Sequence, residues 1–226
     1  MAADSRWTYR IGQDFDDGGV KLAALSSHAV AIYAGNAVAG EKAFAQLWAD
    51  FQRARAGGTA DPERILRAVW HQHRHQGGGL HVCLGFIDQA GEPHLFRFDH
   101  ESDFRPMTVS GVEAPGFGRD YFLERLHEEV SKEMSTPLSE KPLALSAEHW
   151  SMIINRLVWE TAERKADSTV GGPILGAIIT KTGAQGRSLY SVNFGTDPLT
   201  VNRLSLSPSD VVDFYERQRK RRGLEP

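Results

Sequence analysis

Few side chains in this sequence are placed to do chemistry, and each has a plainer role to compete with. Lys21 stands inside the apolar run Val20-Lys21-Leu22-Ala23-Ala24-Leu25. Taken alone, it is a strand lysine whose stem packs while its ammonium reaches solvent. Cys83, the single cysteine, lies in Leu80-His81-Val82-Cys83-Leu84-Gly85-Phe86. A nucleophilic thiol is conceivable there, but so apolar a stretch makes it a small core residue. His71, His73, His75 and His81 gather around Gly77-Gly78-Gly79 and resemble a metal cluster at first sight. Only His71 and His75 have the spacing that shares a helix face, so the group is read as a solvated helix end, where histidine is favourably placed. Gly116-Phe117-Gly118-Arg119-Asp120 is a glycine-flanked turn into a helix. It could hold a phosphate, but it has neither the lysine of a P-loop nor the full dinucleotide fingerprint.

Composition narrows the setting. The chain has 226 residues, 41% hydrophobic and 24% charged, which suits one globular domain. A net charge of -3 gives no general attraction to nucleic acid or to an anionic membrane. The basic run Arg217-Gln218-Arg219-Lys220-Arg221-Arg222 fits a helix C-terminus. One cysteine excludes an internal disulfide framework and fits a reducing compartment. No apolar stretch approaches bilayer length and the first residues lack signal-peptide character, so a cytoplasmic location is expected. No pattern requires a cofactor or a metal.

The elements that must carry these residues follow from periodicity. Residues 20–25 and 29–33 predict a buried hairpin turned at Ser26-Ser27-His28 and closed by Ala34-Gly35-Asn36. Residues 39–56 predict an amphipathic helix with Ala43, Phe44, Leu47, Trp48 and Phe51 on one face, ended by Gly57-Gly58. A second helix starts at Asp61-Pro62-Glu63, Asp61 as N-cap, and buries Ile65, Leu66, Val69 and Trp70. Residues 80–87 and 93–98 predict a strand pair, and residues 107–109 a short extended piece. Two further helices follow, one carrying Phe122, Leu123, Leu126 and Val130, the other capped by Ser146 and carrying Trp150, Ile153, Ile154, Leu157 and Val158. Strands at residues 174–180 and 188–194 and a last helix from Ser207-Pro208 complete the chain. Paired helices between groups of strands predict an α+β fold rather than a repeating βα pattern.

In this order and spacing the chain resembles proteasome β-type subunits of the N-terminal-nucleophile hydrolase family. The resemblance rests on Ala2-Ala3-Asp4-Ser5-Arg6, on Gly19-Val20-Lys21 running without a gap into Ala34-Gly35, on Gly116 to Tyr121, and on Asp167 to Gly172. It implies a four-layer αββα sandwich that assembles into homo-oligomeric rings, with a possible ATPase partner and a peptide or amide substrate. Such enzymes attack a carbonyl with an N-terminal threonine, serine or cysteine whose own α-amine, titrating near ~8, serves as base. Carried over, Lys21 is the ammonium that favours deprotonation of the nucleophile, and Asp4 is its counter-ion. Gly35 supplies an oxyanion N–H, and Asp167 belongs to the turn that orders the amine.

The departures are equally specific. Met1 falls where the family's second strand is under way, so roughly a dozen residues, about two strands' worth, are expected upstream. The carried-over set therefore contains no nucleophile. Phe117 and Val170 stand where the family has hydroxyl side chains. Two expectations result: a hydrolase whose nucleophile lies upstream, or a non-catalytic ring or scaffold relative that keeps the fold.

Overall fold

The predicted hairpin forms, and a sheet is built outward from it. The computed structural model describes residues 1–4, 7–10, 14–16, 21–55, 59–111, 113–114, 119–135, 147–163, 172–180, 183–192 and 204–206. Strands β1 (Ala2–Asp4), β2 (Trp7–Arg10) and β3 (Asp14–Asp16) come first, then the hairpin β4 (Leu22–Ser26) and β5 (Ala29–Gly35). Helices α1 (Ala37–Arg55) and α2 (Pro62–His73) precede β6 (Leu80–Ile87), β7 (Pro93–Asp99) and β8 (Met107–Thr108). Helices α3 (Arg119–Ser135) and α4 (Ala147–Glu163) precede β9 (Gly172–Thr180), β10 (Gly183–Val192) and β11 (Leu204–Leu206). The fold is α+β, and the strand pairs β1-β9, β2-β3, β4-β5, β5-β6, β6-β7 and β7-β8 are antiparallel. No helix among the described residues is long and apolar enough to cross a membrane.

The chain divides into two compact units. One is built on β4 to β8 with α1 and α2, the other on β1 to β3, α3, α4 and most of β9 to β11. In the first unit the five strands run in the order β4-β5-β6-β7-β8. Alternation along β4 and β5 sends Ala23, Leu25, Ala29, Ala31 and Tyr33 into a core shared with Ala39, Ala43, Phe44 and Leu47 of α1 and Ile65, Leu66 and Val69 of α2. Each large aliphatic or aromatic side chain so buried contributes about 1.5–3 kcal/mol relative to exposure. Leu22, Val30, Ile32 and Cys83, which alternate with that set, are buried too. Both faces of β4 and β5 are thus buried.

Local chemistry sets the helix ends as expected in α2. The Asp61 side chain accepts the Arg64 N–H at 3.1 Å, with Pro62 in the first turn. Trp48 departs from the expected stripe of α1 and is 38% exposed, lying at the margin of the face that Phe44 and Leu47 bury. The bend between β7 and β8 is a tight turn in which the Arg105 N–H reaches the Ser102 carbonyl at 3.3 Å. Its central residues, Asp103 and Phe104, have φ of 52° and 57°. A phenylalanine at positive φ is strained, and its complete burial beside Trp70 offsets the cost.

The second unit has the sheet order β1-β9-β10-β11, with Ala2, Ala3 and Asp4 opposite Gly176, Leu175 and Ile174. Its helix α4 lies over this sheet. Gly176 admits the Asn155 amide, which a Cβ there would strike. Ile153 and Leu157 are buried as expected, and Trp150, Ile154 and Val158 are half-buried. Arg125 and Arg156 share Glu129 and Glu160 in a charge network joining α3 to α4. The last helix, from Ser207, lies outside the described residues.

Candidate functional site

One end of the five-stranded sheet collects the residues of interest. There β4 begins, β5 ends, β6 begins and β7 ends, because each neighbouring pair is antiparallel. Lys21 immediately precedes β4 and is half-buried, and its carbonyl accepts the Tyr33 N–H at 3.0 Å. Gly35 lies two residues beyond Tyr33 on β5, exposed, with φ of 103°. Backbone N–H direction alternates along a strand, so the Gly35 N–H points to the same side as that of Tyr33, toward β4. The fold therefore brings Lys21 and the Gly35 amide to neighbouring strands at one sheet end.

Gly35 cannot be another residue without strain. Its φ favours glycine, and a Cβ would overlap the Gly79 carbonyl oxygen. That close approach exists because the Asn36 N–H donates to the same carbonyl at 2.6 Å. Asn36 also donates from Nδ2 to the Gly77 carbonyl at 2.7 Å and accepts the Ala39 N–H on Oδ1 at 2.9 Å. It thus caps α1 while tying the turn to the Gly77-Gly79 loop. Sequence reasoning placed Asn36 only as the close of the hairpin. An asparagine three residues before an N–H in a helical pattern was the signal for its capping role.

Behind this turn lie two histidines. The His81 and His100 rings meet edge to face with centroids 5.3 Å apart, and Trp70 packs on His100 at 5.1 Å. Burial pushes the His81 imidazole below its ordinary value, and the proximity of His100 adds to the effect. Asp99, opposite His81 on β7, accepts the Ser102 N–H at 2.7 Å and lies 3.2 Å from the Arg97 guanidinium. His71 stands 4.0 Å from Asp103, His73 is half-buried and His75 is exposed in the short 3-10 turn Arg74–Gln76. Among the described residues no group of three or more such side chains could hold a metal ion. Cys83 is buried in β6, and burial pushes its thiol up to about 12, so it is not a thiolate at neutral pH.

Of the remaining expected residues, Asp4 lies on β1 in the other unit, paired in register with Ile174. Asp167, Phe117 and Val170 lie outside the described residues. No protein-family model matches the chain, and no curated protein matches it. The chemistry of this sheet end rests on its own residues. They offer an ammonium, an oriented backbone N–H beside the start of a 19-residue helix, and a turn held by three hydrogen bonds. Cation, amide donor and helix N-terminus all favour developing negative charge.

Proposed function

We propose that this chain is a proteasome-like subunit of the N-terminal-nucleophile hydrolase type, with the four-layer αββα sandwich of that family, directed at peptide or amide bonds. The observation that carries the reading is that Lys21, whose carbonyl accepts the Tyr33 N–H, and the Gly35 turn, whose Asn36 N–H is held by the Gly79 carbonyl, lie at the same end of the sheet. Burial of both faces of β4 and β5 is in keeping with a sandwich. In this reading the Lys21 ammonium lowers the pKa of an attacking hydroxyl or thiol. The Gly35 N–H stabilises the oxyanion of the tetrahedral intermediate, a contribution of about 3 kcal/mol to the barrier. The attacking group is a threonine, serine or cysteine whose free α-amine takes the proton and returns it to the leaving amine. The carried-over residues supply no such nucleophile, and the proposal assigns it to residues before Ala2.

The test is the intact mass of the native protein taken from its own cells, before and after treatment with an electrophile selective for N-terminal nucleophiles. A mass increase of one adduct on an N-terminal Thr, Ser or Cys is expected, with Lys21→Ala folded but unlabelled. A native start at Met1 or Ala2 with no adduct would sink the hydrolase reading. It would leave the ring-forming, non-catalytic relative that Phe117 and Val170, in place of hydroxyl residues, favour.

A further inference from the structure

A single peptide group links the Gly35 turn to a titratable ring. The carbonyl of the Gly79-Leu80 peptide accepts the Asn36 N–H at 2.6 Å. The N–H of the same peptide donates to Nδ1 of His100 at 3.3 Å. The His100 backbone N–H in turn donates to the Leu80 carbonyl at 3.1 Å. On the rung after His81 and Asp99, an imidazole nitrogen therefore stands where a strand carbonyl would normally accept. Gly79 makes this possible, because a Cβ there would run into the His100 ring.

We propose that His100 is a positioning residue for the Gly35 turn, its neutral ring fixing the Gly79-Leu80 peptide plane and, through that plane, the Asn36 amide. A backbone N–H can only donate, so Nδ1 must be bare and the ring proton must sit on Nε2. Protonating Nδ1 sets two donors against each other, breaks the link and frees the peptide plane to rotate. The turn is thus held when His100 is neutral and loosened when it is a cation. The His81 ring on β6 meets His100 edge to face with centroids 5.3 Å apart, and Arg97, Asp99 and Glu101 are the charged residues next to it in the chain. From α2 the ring meets Trp70, and His71 of that helix is turned to Asp103, whose N–H donates to the His100 carbonyl at 3.4 Å. The consequence for chemistry rests on the hydrolase reading, in which Gly35 serves the oxyanion. The mechanical link does not.

The experiment is an NMR titration of the ¹⁵N-labelled full chain from about pH 8 to about pH 5. It follows the His100 ring nitrogens together with the shifts and exchange of the Leu80, Asn36 and Gly35 amides. A bare Nδ1 at high pH is expected. On acidification all three amides should move with the midpoint of the His100 ring, with Asn36 exchange rising about fivefold. His100→Gln retains an acceptor that does not titrate and should abolish the pH dependence while keeping the amides protected. His100→Leu should leave Asn36 fast-exchanging at every pH. If that variant fails to fold, the wild-type titration and the Gln variant decide. A proton on Nδ1 at high pH, or an Asn36 amide unmoved through the His100 titration, would overturn the proposal. Coupled amides without any electrophile adduct would retain this link and remove the hydrolase reading, and an adduct with an unmoved Asn36 would do the reverse.

Discussion

Gly35 is the residue on which most of the site depends, and its identity follows from two separate constraints. Positive φ alone costs a larger residue roughly 1 kcal/mol, and the Gly79 carbonyl occupies the space its Cβ would need. Gly35→Ala is therefore expected to lose about 1–3 kcal/mol in urea unfolding and to release the Asn36 amide to exchange. Unchanged stability with a protected Asn36 would show that the turn relaxes at no cost. Lys21 is a different case. Its isolation in an apolar run was legible in the sequence, but its neighbour along the ladder, Tyr33, was fixed only by the hairpin register. Cys83 was correctly placed as packing, since an apolar strand both buries a thiol and raises its pKa.

At the scale of elements, the join between α1 and α2 depends on a buried carboxylate. Asp50, 6% exposed, accepts the Asp61 N–H at 2.8 Å and the Arg53 guanidinium at 2.7 Å. Burial alone would raise this carboxyl, but the Asp61 amide, Arg53 and Arg64 hold it below its ordinary value of 3.8. The folded-state value thus lies under the unfolded one. Its stabilisation is complete above the unfolded value and is lost as pH falls through the folded one. Asp50→Asn is expected to cost about 1–2 kcal/mol at neutral pH, chiefly through the Asp61 amide, because Arg53 is largely exposed and screened. Its melting temperature should also fall less steeply than wild type below about pH 4. Parallel acid limbs in the two proteins would remove Asp50 from that role. The Asp61 cap of α2 was readable from Asp-Pro-Glu, a local signal, whereas Asp50 was not, because its partner lies 11 residues away across a bend.

For the whole molecule, the proposed family makes one further demand, that subunits close into rings. Mass photometry or sedimentation of the native protein should then give a cyclic assembly of many copies, and a monomer at micromolar concentration would exclude a ring. By itself the sequence determined the α+β class, the bounds of β6 and the start of α2, because periodicity and caps are local. It also put Lys21 in the first run of one hairpin and Gly35 at its close. It did not reveal β2, β3 or β11, each only three or four residues long and too short for alternation to register. Only the tertiary structure decided that Asn36, Gly79 and His100 act on the Gly35 turn. Those residues are far apart in the chain, and antiparallel pairing of β5 with β6 and of β6 with β7 carries them to one sheet end. Register is a long-range property, set when buried faces pack together, and no stretch of the sequence carries it alone.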